Sequence, residues 1–446
     1  MSTLKKYTIV LVFTVLIALI LPFIKLDPVI LFLAVAIIYV VIFAFLNNKI
    51  GLFFLILVRP CLDILGDKPV FNLGKTSVNL ASFFGVLTLL FSFYVIAKGF
   101  KKLKRLPPFF YIFIFLGLTL ASVYFSMSPG TSFVEWIRLL SVFALYLASF
   151  TLIENKKDLD TLIKVIIASA IVPGLFAFYQ YFTGTGMTLP LEGIYNRIFG
   201  TFSHPNLFAY YLILPISLSV YLFWKEKNDI ANLLFASFLP FFLILLLFTY
   251  TRGAWLAFII IILFLGIFKS KKLLILMFLG LLLVYFGISS VRERVDNLTN
   301  SQYTSVNWRM DLWKDAVKYA EEKPIAGYGT GTATELILAK RGTRFGSTAT
   351  HNDYLKVGLE NGLLGLLAYL GIIISMLVNL KNEYFFAKSE ELKKLILISI
   401  GFTIAIYAMS FGDNILRNTA LQWSYFAFLG GLFAYIMKTK LKTINS

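Results

Sequence analysis

The chain has a single cysteine, Cys61, and only two histidines, His204 and His351, in 446 residues. One thiol excludes an intrachain disulfide and any zinc site built on paired cysteines. Charge is scarce as well: 14% of the residues are Asp, Glu, Lys or Arg, against roughly a quarter in soluble domains. No internal repeat or low-complexity linker appears, and no glycine-rich turn stands between a strand and a helix with a lysine at nucleotide-binding spacing. A soluble nucleotide-sugar domain is therefore excluded.

What fills the space is apolar. Hydrophobic residues make up 59% of the chain, with 46 Phe, 23 Tyr and 6 Trp, the composition of helices packed in lipid with aromatic rings at the interfaces. A membrane-spanning helix needs about 20 apolar residues. Such runs fall at 7–24, 28–46, 50–66, 78–97, 107–125, 133–153, 161–182, 206–223, 230–249, 253–268, 272–288, 357–380, 395–412 and 420–437. The third is short and carries Arg59 and Asp63, which suits a half-inserted segment. Lys5 and Lys6 precede the first run and no small-x-small cleavage site follows it, so a retained span is expected. The predicted fold class is all-α: a polytopic membrane helical bundle of about 12–14 transmembrane helices. It divides into transmembrane helices over 1–288, a hydrophilic loop over 289–352 and C-terminal transmembrane helices over 353–446.

The formal charge of +18 is not spread evenly. Lysine-rich segments, such as Lys98 to Arg105, Lys269 to Lys272, Lys381 to Lys394 and Lys438 to Lys442, alternate with loops holding single basic residues such as Lys25, Arg197, Arg252 and Arg417. By the positive-inside bias both termini are cytoplasmic in a cytoplasmic (inner) membrane, and 289–352 lies outside. The excess charge is thus topological signal, and no nucleic-acid partner is expected. Inside that loop, Trp308, Leu312, Trp313, Ala316, Val317 and Ala320 recur at helical spacing. The resulting amphipathic helix either lies on the outer leaflet or packs on the bundle. Gly327-Tyr328-Gly329-Thr330-Gly331 follows, a turn or, less readily, a backbone cradle for phosphate.

Four outward features carry polar chemistry. Thr249-Tyr250-Thr251-Arg252-Gly253-Ala254-Trp255 puts an arginine at a span boundary, where charge either snorkels to water or serves function. Arg309 begins the amphipathic helix, where an anion would meet a guanidinium and a positive helix end. Arg197 precedes Gly200-Thr201-Phe202-Ser203-His204-Pro205-Asn206, in which His204 is a structural or sugar-contacting histidine before it is a catalytic one. His351, at the head of HNDYLKVGLENGLLGL, has an imidazole suited to take a proton from a sugar hydroxyl, or to cap a helix. Gly358, Gly362 and Gly365 are expected to thin one side of the helix that follows. Arg59 with Asp63, and Glu135 with Arg138, are spaced for structural ion pairs. No outer loop holds an Asp-x-Asp pair, and neither a metal nor a cofactor is expected.

Gly200 with Asn206, Thr251-Arg252-Gly253-Ala254-Trp255, Trp308-Arg309, Gly327-x-Gly329 and His351-Asn352…Gly362-x-x-Gly365 occur in that order and on one side. The set resembles the O-antigen ligase and polymerase superfamily of integral-membrane glycosyltransferases. The resemblance implies a GT-C-like bundle whose donor is a glycan on a polyprenyl (undecaprenyl) diphosphate. It implies that Arg252 and Arg309 hold the diphosphate and that His351 is the general base. Arg197, His204, Asn206, Tyr250 and Asn352 are expected around the same substrate site. Transfer would be inverting and metal-independent, to a glycan, lipid or protein acceptor at the outer face of the bilayer, in cell-envelope polysaccharide or lipopolysaccharide synthesis. A polymerase joining two lipid-linked glycans is the nearest alternative. A flippase for lipid-linked sugar is the alternative from another class, and the absent inverted repeat speaks against it.

Overall fold

A computed structural model describes residues 47–65, 69–73, 76–99, 106–189, 194–225, 229–296, 307–342 and 347–444. The expected spans at 7–24 and 28–46 lie outside the described residues. From there on the apolar runs fold as helices. They begin with α1 (Asn48–Val58), which ends in two short 3-10 turns where the Arg59 guanidinium meets Asp63 at 2.6 Å. A hairpin of β1 (Pro69–Leu73) and β2 (Thr76–Asn79) leads into α2 (Leu80–Gly99), α3 (Phe109–Tyr124) and α4 (Pro129–Leu152). The 161–182 run is a broken helix, α5 (Lys156–Ser169) and α6 (Ile171–Thr183). A second hairpin, β3 (Met187–Leu189) with β4 (Ile194–Arg197), precedes α7 (Pro205–Trp224). These two hairpins are the small strand content of an otherwise helical chain among the described residues.

The 230–249 run is also broken, into α8 (Ile230–Ala236) and α9 (Leu239–Phe248). Then come α10 (Arg252–Phe268), α11 (Lys271–Gly287) and α12 (Ser289–Asp296), the last two bent by 99°. The hydrophilic segment supplies α13 (Asn307–Glu322) and α14 (Ala333–Arg341); α15 (Asp353–Phe386), α16 (Glu390–Met409) and α17 (Thr419–Ile444) complete the bundle. Among the described residues seven helices are long and apolar enough to cross a bilayer, or up to eight if the bent pair is one span. α3 and α10 are shorter apolar helices. Helices satisfy their backbone polar groups internally, which is what a chain this apolar requires in lipid.

The centre of the bundle is α4, α7, α16 and α17, where Tyr146, Tyr211, Phe402, Trp423 and Tyr425 are fully buried. At one end of the helices, side chains tie the bundle by ion pairs: Lys49 to Glu154 and Asp158, Lys225 to Asp160 and Glu391, and Lys269 to Glu390. The other end gathers the 194–204, 249–251 and 410–418 connections: Arg197 donates to Thr249 O, Asn206 to Asp413, and Arg309 of α13 to Gly412 O.

Of the two placements open to the amphipathic helix, α13 takes the packed one: Leu312 and Ala316 are fully buried, and Trp313 Nε1 donates to the Thr350 carbonyl at 2.8 Å. The three glycines of α15 are not one smooth stripe. Gly362 breaks the helix with φ 64° and ψ −168°, and a Cβ there would run into the Ile325 carbonyl. The break frees backbone groups at 359–363, and the glycine loop occupies them. Tyr328 N–H donates to Leu359 O and Gly329 N–H to Glu360 O, each at 2.9 Å, and Leu363 N–H donates to Pro324 O at 2.7 Å.

Candidate active site

Three polar connections meet at the end of the bundle opposite the lysine-rich loops. The first precedes α7. Gly200 has φ 58° and its Cα lies against the Pro173 carbonyl, which a side chain would strike. The Gln180 amide pins this turn, accepting from Phe199 N–H at 2.9 Å and Gly200 N–H at 2.8 Å. His204 is the N-cap of α7, its Nδ1 accepting the Asn206 N–H at 3.1 Å. Burial, and then the charge of Arg197, push its imidazole down to about 4, so His204 is a neutral capping group. Arg197 is 4% exposed. Its Nε donates to Thr249 O at 2.8 Å, and one terminal nitrogen reaches Asn206 Oδ1 at 2.9 Å and Thr251 Oγ1 at 3.1 Å.

The second connection carries His351. Its backbone is left-handed, φ 46°, a conformation that costs a non-glycine residue about 1 kcal/mol or more and is kept where surroundings impose it. Nδ1 lies 3.4 Å from Asp413 Oδ1 and Nε2 lies 3.3 Å from Ser347 Oγ. The Trp308 ring stands edge-on to the imidazole with centroids 5.4 Å apart. Asn352 Oδ1 caps α15 by accepting from Leu355 N–H at 3.0 Å. Asn414 Oδ1 accepts from Thr350 Oγ1 at 2.9 Å and from Asn352 N–H at 3.2 Å. The Asn352 side chain therefore builds the His351 turn.

Asp413 ties this turn to the first connection. Its Oδ2 accepts from Asn206 Nδ2 at 2.6 Å, and its Oδ1 accepts from Asn414 N–H at 2.8 Å. Burial alone would raise its carboxyl. The His351 hydrogen bond and charge, the Asn414 N–H and Arg309 outweigh burial and hold it below the usual carboxylate range. Arg309 donates to Gly412 O at 3.0 Å, with its guanidinium 5.5 Å from the Trp308 ring centroid.

Arg252 opens α10 in the third connection, and Gly253 after it leaves room for the Tyr210 hydroxyl, which a Cβ would strike. Tyr250 has φ 51°, and with His351 it makes up the non-glycine residues of positive φ in the described chain. Its carbonyl accepts from Arg294 Nε at 3.2 Å and its hydroxyl meets Ser290 Oγ at 2.9 Å. The charge of Arg309 acts on both Arg252 and Arg294, and that of Arg252 acts on Arg197. Arg197, through Asn206, and Arg309, on Gly412 O, thus lie beside the His351–Asp413 pair, with Arg252 and Arg294 within reach of the Arg309 charge.

The structure brings together Arg197, His204, Asn206, Tyr250, Arg252, Arg309, His351 and Asn352, but it gives them unlike tasks. His204 and Asn352 spend a side-chain acceptor on helix caps, Asn206 bridges Arg197 to Asp413, and Tyr250 braces Arg294. Sequence reasoning missed Asp413, Asn414 and Arg294. A signal for the first two was present: Phe411-Gly412-Asp413-Asn414 interrupts two apolar runs in an outward register. The glycine loop is no phosphate cradle, since Tyr328 and Gly329 N–H bind α15, Thr330 N–H binds Ser122 Oγ at 3.1 Å, and Ala333 N–H binds Glu360 Oε1 at 3.3 Å. Glu135 and Arg138 form the expected pair at 2.7 Å. Among the described residues no three His, Cys, Asp or Glu side chains are grouped as they would be to hold a metal ion.

Residues 235–370 match a family model described as O-Antigen ligase. That stretch includes Arg252, Arg309, His351 and the Gly362 break, and leaves Arg197, Asn206 and Asp413 outside. A ComP-specific O-oligosaccharyltransferase of Acinetobacter baylyi is 27% identical over 321 residues, covering 66% of this chain and 56% of that protein. A Haemophilus influenzae protein described as uncharacterized is 33% identical over 84 residues, 17% of this chain and 21% of that protein. The chain therefore spans about half the length of the first relative and a fifth of the second.

Proposed function

We propose, from the match of residues 235–370 to a family model described as O-Antigen ligase, that the chain transfers a glycan from a polyprenyl diphosphate to an acceptor hydroxyl at the outer face of the cytoplasmic membrane. The observation that carries this reading is the apposition of an imidazole, backed by a carboxylate, with a group of guanidiniums. The acceptor O–H attacks the anomeric carbon while the bond from that carbon to the diphosphate oxygen breaks. One proton must leave the acceptor, and negative charge builds on the departing diphosphate.

His351 takes the proton. Asp413 faces Nδ1, so the N–H belongs there and Nε2 carries the free lone pair. The Ser347 hydroxyl, 3.3 Å from Nε2, occupies the position an acceptor hydroxyl would take. That distance is long for a hydrogen bond, as such contacts often are before a substrate tightens them. Arg252 and Arg309 answer the other charge, since preset guanidiniums stabilise the negative charge that develops on the departing diphosphate without rearrangement. Attack from the face opposite the diphosphate inverts the anomeric centre. The 289–352 segment, with α13 over the site, is the extracytoplasmic part on this reading. The name of the Acinetobacter relative, an O-oligosaccharyltransferase, supports an oligosaccharide donor and an oxygen acceptor.

The test is glycan transfer by purified protein supplied with polyprenyl-diphosphate oligosaccharide and candidate acceptors in EDTA. Transfer by the parent should fall on the order of 100-fold or more in His351→Ala and Arg252→Ala. Asp413→Asn should lower kcat with little change in donor KM. A product ladder in place of single transfer would identify a polymerase. Full activity in His351→Ala would remove the base, and carrier movement across vesicles without transfer would replace the enzyme by a flippase.

A further inference from the structure

A second group of charges lies where α4 meets the first turns of α15. Arg138 stands on α4 about 14 Å along the helix from its start, a costly place for a charge in a membrane helix. Glu135 takes two of its nitrogens, Nε on Oε2 and Nη2 on Oε1, both at 2.7 Å. Lys356 Nζ lies 3.4 Å from the same carboxylate and 3.1 Å from Glu360 Oε2. The four side chains are between 2% and 20% exposed. Ion pairs taken this far out of water gain little over apolar residues of the same size, so stability alone does not account for them.

The third nitrogen of Arg138 reaches the turn that carries Asp413. Its Nη1 donates to the Leu416 carbonyl at 2.8 Å. The N–H of Leu416 donates to Asp353 Oδ2 at 2.9 Å, and Asp353, fully buried at the head of α15, donates its own N–H to Ser410 O at 2.8 Å. Leu416 is thus gripped through both backbone polar groups by charged side chains of two helices. The grip passes to Asp413 because the turn is tight: Arg417 N–H closes it on Asn414 O at 3.3 Å. At the far end there is little slack. Asp413 Oδ1 stands 3.4 Å from His351 Nδ1, and a contact at about 3.6 Å is no longer a hydrogen bond. A small drift of the turn therefore parts carboxylate from imidazole.

We infer that Arg138 is a positioning residue for the proposed base, setting Asp413 against His351 by holding the Leu416 carbonyl. The inference rests on the reading of His351 and Asp413 given above and adds the residue that fixes their distance. Glu135 serves it by aligning the guanidinium, since a bidentate carboxylate leaves the fork one orientation.

Glycan transfer by the full-length protein, with polyprenyl-diphosphate oligosaccharide as donor, tests this in a double-mutant cycle with Asp413. Truncating Arg138 alone would leave Glu135 buried without its partner, so the pair is replaced together, Glu135→Leu with Arg138→Met. That variant should melt near the parent, because Lys356 and Glu360 still balance each other. Its kcat should fall on the order of tenfold at little-changed donor KM, as a misplaced group in the reaction demands. In an Asp413→Ala background, where there is no carboxylate to place, the same replacement should change kcat by less than about twofold. Arg138→Lys should fall between the paired replacement and the parent, because a point charge replaces a fork. Trp136→Phe, which removes a hydrogen bond from the same helix to Leu116 O, should keep the parental kcat. Parental kcat in the paired replacement overturns the inference. An equal loss in both backgrounds overturns it too, for Arg138 would then support the fold without acting through Asp413. If Asp413→Ala itself transfers at the parental rate, it is the reading of Asp413 that fails. Should the paired replacement not yield monodisperse protein, Arg138→Lys decides: parental kcat, or an equal loss with and without Asp413, overturns the inference.

Discussion

His351 and Tyr250 hold backbone angles of φ 46° and φ 51° that their side chains disfavour, and both do so where the polar connections meet. Strain of this kind survives where the surroundings over-determine it. Around His351 the restraint comes from Asn352, Asn414 and Thr350; around Tyr250 it comes from Arg294 and Ser290. Chemistry at the residue scale was legible where a residue type is rare: with two histidines in the chain, either was a candidate. The sequence already favoured His351 over His204 as the candidate base, but the partner of each ring nitrogen was not legible. His204 Nδ1 is spent on the Asn206 N–H, whereas His351 has a carboxylate brought from 62 residues away. No spacing rule connects His351 to Asp413.

The same difference gives a pH dependence. An unfolded histidine takes its proton near 6.5, and folded His204 does so at about 4. Between these values the unfolded chain binds more protons, so stability from the neutral cap is complete above about pH 6.5. It falls as the pH is lowered, and has been lost by about pH 4. The gap corresponds to at most about 3 kcal/mol, less for a partly exposed ring. The apparent melting temperature of the parent should therefore drop between pH 6.5 and 4. In His204→Asn, which keeps a capping acceptor, the slope should be shallower. An unchanged slope would mean that other groups govern it.

Among the elements, helix positions were readable from apolar runs because the runs are long and lipid leaves a helix as the local solution. The breaks were not. α5–α6 and α8–α9 each read as one run, since a short interruption leaves mean hydropathy unaltered. Gly362 read as a packing glycine because its neighbours are helix formers. Its need for φ 64° comes from the Ile325 carbonyl and the 327–331 turn, contacts across the fold. Glu360 reinforces the joint, since its carboxylate accepts from Ala333 N–H and pairs with Lys356 at 3.1 Å. Gly362→Ala should destabilise the protein by ~3 kcal/mol or more, through a forbidden backbone and a Cβ against a carbonyl. Gly358→Ala should be neutral or mildly stabilising, for its Cβ would meet nothing closer than Leu366 Cδ2 at 3.9 Å. Melting curves of the two variants separate these outcomes. Equal stability would show that α15 can straighten, and the break would then have no hold on the His351 turn.

For the whole molecule, the alternation of lysine-rich and lysine-poor loops is matched by what each end of the bundle contains. Lys49, Lys156, Lys225, Lys269 and Lys440 make ion pairs with Glu or Asp at one end. Arg197, Arg252, Arg309 and His351 gather at the other. A charge bias acting on loop insertion and a site built by tertiary contacts are independent, yet they sort the same loops. This predicts the orientation. With Cys61 replaced by Ser, Lys318→Cys on α13 should react with a membrane-impermeant maleimide in intact cells, and Lys388→Cys between α15 and α16 should react only after permeabilisation. Both positions are exposed in the protein, so burial does not confound the result. The reverse pattern would put the arginines and His351 on the cytoplasmic face, where a glycan presented outside the membrane could not reach them. Transfer at the outer surface would then be untenable, whatever the variants of His351 did to activity.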